Sequence, residues 1–410
     1  MDAMRLWNKS YVRLLFLEVC LQLGLYIVRP IVSSYAVVLG ASLVAAGFAS
    51  GANSVASLAM RPVCGQISDK FSKERLLVMS CLVFFGSAIG CAATSSLAVI
   101  CFLQIVQGVA FTFKSTLVIS LVRMAVPRSK VGAAIGWLSV AFTVASALGP
   151  AIGLFFGEYY GFGSSFLIAG AVFLAGLVLS VSIYVSSSFD RVENEGIGNG
   201  RDTGKRASSF AGVNKKRLSE VFYLPAIPCS LVDCMAATAQ GTTVALIFLI
   251  ATSEGIAGVS LYFIAYSAVT AISRPLFGRF NDKYGAGIVV PLFVFALFGM
   301  LVLLFSNAAP GVVVAAIFMA LGQAPIHSVM QAESIRTASA TELARAANTS
   351  YLFPDIGMFL GPFFGGLIME AFGGRAVLLV NCIYLVFGLG IALVWCCRKK
   401  TALLKEGKTQ

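Results

Sequence analysis

Six ionisable side chains stand inside otherwise apolar stretches: Glu18, Arg29, Lys114, Asp233, Asp355 and His327, the chain's single histidine. Ionisable groups in such surroundings are costly to desolvate, and they occur where they pair, bind a solute or carry a proton. Arg29 and Lys114 are cations that could attract a carboxylate or another anionic group. Glu18, Asp233 and Asp355 could take up and release a proton. Counting about 1.5 Å per residue from the nearest anchor on the basic side of the chain puts Lys114, His327, Asp355 and Asp233 roughly 14–16 Å deep, Glu18 about 8 Å and Arg29 about 24 Å. An apolar slab about 30 Å thick has its middle near the first four. The spacing also aligns polar neighbours on shared helical faces. Glu18, Gln22, Arg29 and Ser33 form one stripe; Gln104, Gln107, Phe111 and Lys114 form a second; Asp233 with Gln240, and Asn348 with Tyr351 and Asp355, form two more. Structural roles stay open beside the functional ones. Lys114 with Asp233, or Arg29 with a carboxylate, could be static pairs, Asp355 could bond backbone freed by Pro354, and His327 could be a neutral packing residue beside Pro325. No nucleophile–base pair, metal-ligand spacing or phosphate loop accompanies these groups, so the expectation is no enzyme, no metal and no cofactor.

The elements that must hold these side chains are long apolar helices. Of 410 residues, 58% are hydrophobic and 12% charged, with mean hydropathy +0.89; soluble domains carry about 25% charged residues. A soluble globule could not cover itself with so little polar surface, and disorder needs the opposite bias. Runs long enough to cross a bilayer are expected at 12–38, 44–67, 76–95, 98–123, 131–156, 164–186, 222–251, 257–280, 287–306, 311–334, 343–370 and 376–397. The runs are continuous rather than alternating, which excludes a β-barrel. The ten cysteines include no CxxC pair, and most sit in apolar runs, where thiols act as small hydrophobes.

The loops explain the net charge of +12. Sorted on these spans, 27 of the 30 Lys and Arg fall on one side, Arg375 on the other, and Arg29 and Lys114 between. The positive-inside rule makes the basic side cytoplasmic, with both termini there. The charge therefore records topology, and no nucleic-acid partner is expected. Residues 187–220, with serines, glycines and mixed charge, read as a cytoplasmic linker between bundles at 1–186 and 221–410.

The two parts echo each other. Arg61-Pro62-x-x-Gly65-x-x-x-Asp69-Lys70 recurs as Arg274-Pro275-x-x-Gly278-x-x-x-Asp282-Lys283, and Gly149-Pro150-x-x-Gly153 recurs as Gly361-Pro362-x-x-Gly365. Ala46-Gly47 and Gly108 have counterparts at Ala257-Gly258 and Gly322. Offsets that stay between 211 and 214 residues indicate duplication into two parallel six-helix repeats, an architecture that handles solutes near the bilayer midplane. The first motif, continuing through Lys73 and Arg75, resembles the loop 2–3 signature of the major facilitator superfamily. The opening Pro30, Tyr35 and Leu39-Gly40-Ala41-Ser42, and the partial span 5 antiporter signature, resemble its multidrug and metabolite efflux branch. Ser72 and Glu74 depart from the loop signature, and Gln104 stands where the family's span 4 motif has Arg.

The resemblance implies an all-α membrane protein of twelve spans that works by alternating access as a monomer in the plasma (inner) membrane. It implies a conformational latch at Arg61, Gly65, Asp69, Lys70, Lys73 and Arg123, repeated at Arg274, Gly278, Asp282 and Lys283. Close helix packing is implied at Gly149, Pro150, Gly153, Gly361, Pro362 and Gly365. Spans 1, 4, 7 and 10 line the family's cavity, which makes Glu18, Gln22, Arg29, Gln104, Gln107, Lys114, Asp233, Gln240 and His327 candidate substrate or coupling residues, and Asp355 on span 11 joins them as an ionisable group near the midplane. The expected activity is proton-coupled efflux of a small anionic or zwitterionic solute. Uptake of a sugar or organic acid, and a transport-inactive sensor or scaffold, are the alternatives.

Overall fold

The computed structural model describes residues 7–127, 131–196, 223–336 and 343–406. Among them are twelve α-helices: α1 (Lys9–Val38), α2 (Leu43–Lys70), α3 (Lys73–Ala93), α4 (Leu97–Ala125), α5 (Val131–Tyr160), α6 (Phe162–Gly196), α7 (Ile227–Glu254), α8 (Val259–Tyr284), α9 (Val289–Phe305), α10 (Ala309–Arg336), α11 (Leu343–Phe372) and α12 (Gly374–Glu406). Their starts and stops follow local chemistry. The Asn8 side chain accepts a bond from Tyr11 N at 2.8 Å to cap α1, and Ser42 caps α2 by accepting from Ala45 N; each satisfies a backbone donor that the helix start leaves open. Gly40 and Gly373 take φ of +84° and reverse the chain between α1 and α2 and between α11 and α12, a conformation costly for any residue with a Cβ.

Ten helices are long and apolar enough to cross a membrane; the apolar stretches of α8 (Leu261–Ser273) and α9 (Val289–Phe305) are shorter. In α8 the run ends where Arg274 begins the repeated motif. Bulky apolar side chains such as Phe16, Val178, Ile272, Phe305 and Phe387 are exposed around the bundle, as a lipid-facing surface requires. Trp7 and Trp137 lie at one end, 5.2 Å apart between rings, and Tyr159 and Tyr160 at the other, the positions amphipathic aromatics favour at a membrane boundary.

Two features differ from expectation. Helix α6 runs to Gly196, well into the expected linker, and residues 197–222 lie outside the described part. Helix α7 begins only at Ile227, after a 3-10 turn over Leu224–Ala226, so Asp233 is about 9 Å from the helix start rather than 16 Å.

Helices α1–α6 pack among themselves, as do α7–α12, and the two sets meet along α2 with α11, α5 with α8 and α1 with α7. The end carrying Lys9 and Glu406 is called the terminal end below, and the opposite one the far end. Several bonds cross between the sets toward the far end. Val44 N donates to Glu370 Oε2 at 3.2 Å, Ser33 Oγ donates to the Ala245 carbonyl, and Ser267 Oγ donates to Ser146 O at 3.0 Å. Glycine allows α2 and α11 to touch through their backbones. A Cβ on Gly47 would stand 2.2 Å from Pro362 O, and one on Gly366 2.4 Å from Leu43 O.

Candidate functional site

Three acid–base pairs lie about 9–18 Å in from the terminal end, counted along their helices. Lys114 of α4 donates to Glu18 Oε1 of α1 at 2.6 Å, and its side chain is 1% exposed. Gln22 donates to the same oxygen at 2.9 Å, while Glu18 Oε2 has no partner. In the second six helices, His327 Nδ1 of α10 lies 2.8 Å from Asp233 Oδ2 of α7; the imidazole is 31% exposed and the carboxylate 3%. The third pair joins the two sets. Arg61 of α2 holds Asp355 Oδ2 of α11 through Nη2 at 2.5 Å and Nε at 2.6 Å. Ser57 Oγ donates to that oxygen at 3.3 Å, and the guanidinium sits 5.2 Å from the centre of the Tyr351 ring.

These partners correct several expectations. Lys114 pairs with Glu18 and not with Asp233, so its charge is met by a carboxylate of its own set. Asp355 binds Arg61 across the sets rather than backbone freed by Pro354. Arg61, sorted by sequence with the loop cations, is about 14 Å inside its helix. His327 does more than pack beside Pro325: its Nδ1 lies within hydrogen-bond distance of the Asp233 carboxylate. Lys114 and His327 stand 213 residues apart, the offset of the repeated Arg-Pro motif, and each reaches from the fourth helix of its set to the first.

Nearer the far end, two recesses lie between the sets. One is lined by Arg29, Asn53, Gln104 and Gln107 with Met358 and Pro362, from α1, α2, α4 and α11; α7 closes it through Val244. Asn53 Nδ2 is buried there without a hydrogen-bond partner, and a buried unpaired donor costs about 1–3 kcal/mol until something accepts from it; the Gln104 amide lies beside the Cys91 thiol. Gln107 is already engaged, donating to Ser87 Oγ at 3.1 Å. Among the described residues no carboxylate stands within ion-pair distance of Arg29; its guanidinium lies 5.2 Å from the centre of the Tyr26 ring. The other recess lies among α1, α5, α7, α8 and α10, with Tyr26, Phe142, Tyr262, Tyr266, Gln240 and Gln323 in its wall. Gln240 Nε2 donates to Tyr266 Oη at 3.3 Å, while both amide atoms of Gln323 are buried without a partner. Among the described residues no cluster of three His, Cys, Asp or Glu could hold a metal.

The family model of the Major Facilitator Superfamily matches residues 14–286 and 226–409. The chain belongs to the Major Facilitator Superfamily. Its relatives include a homolog of the multi-drug resistance efflux pump PmrA from Lactococcus lactis, 20% identical over 85% of this chain and 83% of the relative. Multidrug resistance protein 2 of Bacillus subtilis is 22% identical over 93% of both, and multidrug resistance protein MdtG of Serratia proteamaculans is 22% identical over 71% of this chain and 69% of that protein. Among solved structures, the POT peptide transporter in complex with alafosfalin superposes with a TM-score of 0.72 at 14% identity, over 96% of each chain. The nucleoside transporter NupG gives 0.72 at 13% identity over 94% of this chain and 99% of its own. At these identities the solved structures establish a shared fold.

The superfamily signature positions divide into three groups. The side chains of Gly65, Asp69, Lys70, Arg274, Gly278 and Asp282 lie outside the described residues. Lys73, Arg123 and Lys283 are described: Lys73 Nζ is 4.0 Å from Met124 Sδ within the first set, Arg123 is exposed, and Lys283 lies over the Tyr284 ring at 5.1 Å. The glycine–proline motifs work mainly inside each set. A Cβ on Gly149 or Gly153 would stand 2.4 Å or 2.5 Å from α1, and one on Gly361 2.3 Å from Thr238 O of α7. A Cβ on Gly365 would likewise meet the Leu246 side chain of α7 at 2.7 Å. Pro150 and Pro362 instead face one recess each. Sequence reasoning missed Asn53, Gln323, Tyr26 and Tyr266. The available signal was an amide or hydroxyl inside an apolar run; the search had begun with charge.

Proposed function

We propose that this superfamily member exports a small organic anion or zwitterion in exchange for protons. In this reading all twelve helices span the membrane as two parallel six-helix repeats, 1–186 and 221–410, joined by 187–220. The basic terminal end is cytoplasmic, the membrane is the plasma (inner) membrane, and the transporter works as a monomer. The far-end contacts then close the outer side, and rocking of one repeat against the other opens it. The two recesses lie on the outer side of the midplane, where a solute is held while the exit changes sides. The multidrug efflux pump among the relatives supports export as the direction.

The observation that carries the reading is the buried His327–Asp233 pair with its imidazole partly exposed. Histidine is the side chain whose ordinary titration straddles neutral pH, so this pair can gain and lose a proton as the cavity opens. Gln323 lies one turn from His327 on α10, and Gln240 two turns from Asp233 on α7, so the pair and the recess share helices that move together. Arg29 supplies the fixed positive charge for the substrate. Arg61–Asp355 ties the repeats where they pivot.

The test is flux in proteoliposomes across a panel of organic anions, sugars and cationic dyes, with and without a pH gradient. Accumulation of an organic anion that collapses with a protonophore is the expected result. Flux indifferent to the gradient, or none for any class, contradicts the reading.

A further inference from the structure

The two recesses correspond to each other under the internal repeat. Exchanging α1 with α7, α2 with α8, α4 with α10 and α5 with α11 turns the helices around one into the helices around the other. Tyr266 stands 213 residues after Asn53, and Pro362 stands 212 after Pro150. Corresponding places have acquired different chemistry. The first recess offers a cation, Arg29, an unsatisfied amide donor on Asn53, and the amide of Gln104. The second offers aromatic walls. Tyr26 meets Phe142 edge to face at 5.4 Å, Tyr262 stacks on Tyr266 at 5.8 Å, and Gln323 adds an unsatisfied amide.

The recesses are also neighbours. Both are lined by Val244, and Arg29 of the first lies 5.2 Å from the ring of Tyr26, which lines the second. A solute held at the first recess would therefore lie beside the second.

We infer that the transported solute is an aromatic carboxylate: its anionic group is held by Arg29, Asn53 and Gln104, and its ring enters the recess walled by Tyr26, Phe142, Tyr262 and Tyr266. This inference rests on the exporter reading above and names its substrate class. The guanidinium presents donors in a planar fork that matches a carboxylate. The amide nitrogens of Asn53 and Gln104 can donate to an anion without adding charge, and the Arg29 guanidinium repels a cation. Flat rings favour edge-to-face and offset contacts in the second recess. Lys114 takes no part, because Glu18 already neutralises it.

The experiment uses the purified full chain in lipid nanodiscs and four probes: indole-3-propionate, its uncharged amide, tryptamine and propionate. Binding is read by displacement of radiolabelled indole-3-propionate. The carboxylate should bind at least ten-fold more tightly than its amide, tryptamine or propionate. Arg29→Gln should erase the preference over the amide, Arg29→Lys should keep part of it, and Tyr266→Leu should narrow the gap to propionate. The preference within the unaltered protein tests the inference even if a variant does not fold. Equal binding of acid and amide, or tighter binding of tryptamine, overturns it. Flux in proteoliposomes separates the two proposals. Export of a cationic dye without binding of the carboxylate would sink this inference and leave an exporter. Binding of the carboxylate without flux of any compound would support the site and sink the exporter reading.

Discussion

Glu18–Lys114 and Asp233–His327 occupy corresponding places in the two halves, each linking the first helix of its half to the fourth. They differ in what they can do. Lys114 is sealed at 1% exposure against a carboxylate at 2.6 Å. His327 is 31% exposed and belongs to the one residue type that ordinarily titrates near neutrality. The first half thus carries a buried lysine–carboxylate pair, and the second a histidine–carboxylate pair that the proposed function uses as its proton carrier. The recesses diverge in a complementary way, with the fixed cation Arg29 in one and aromatic walls in the other. In the proposed reading, substitution at matched positions of the two halves separates holding a solute from moving a proton.

The largest effect is expected from breaking the lysine–carboxylate pair. Lys114→Met leaves the Glu18 charge buried without its partner, which costs about 3–5 kcal/mol. The detergent-solubilised protein should unfold at markedly lower temperature, and Glu18→Gln added to Lys114→Met should recover most of the loss. Equal stability of the single variant and the parent would show that the pair is no brace. Next comes the tie between halves. Asp355→Asn or Arg61→Gln should lower flux about ten-fold, an effect of about 1.4 kcal/mol on the rate-limiting barrier. Exchanging the two residues, R61D with D355R, should restore part of it; a swap no better than either single change would argue against a direct pair. The smallest effects separate close from open helix surfaces. Gly47→Ala forces a methyl against Pro362 O and should cost about 1–3 kcal/mol. Gly86, with nothing within 4 Å of an added Cβ, should gain about 0.5–1 kcal/mol as alanine. Thermal unfolding of the two variants should therefore shift in opposite directions.

Much of the frame was legible in the sequence because a helix crossing lipid must be a long apolar run, and such runs are visible without knowing their neighbours. The repeat was legible for a similar reason: Arg61-Pro62 and Gly149-Pro150 recur in register. Partner choice was not legible. Lys114 lies at a depth that suits Glu18 or Asp233, and only the packing of α1 beside α4 in one half decides between them. Arg61 looked like a loop cation because it precedes a charged motif, although it sits more than two turns inside α2 and meets Asp355. Asn53 and Gln323 escaped notice because a neutral amide in an apolar run carries no charge to mark it; only the missing hydrogen-bond partner makes it a candidate for binding.

The division of labour between the halves can be tested on one pair of variants in proteoliposomes, by comparing flux driven by a pH gradient with solute exchange at equal pH. His327→Gln should lose gradient-driven flux while exchange continues, and Arg29→Gln should lose both. Gradient-driven flux that persists undiminished in His327→Gln would contradict the account.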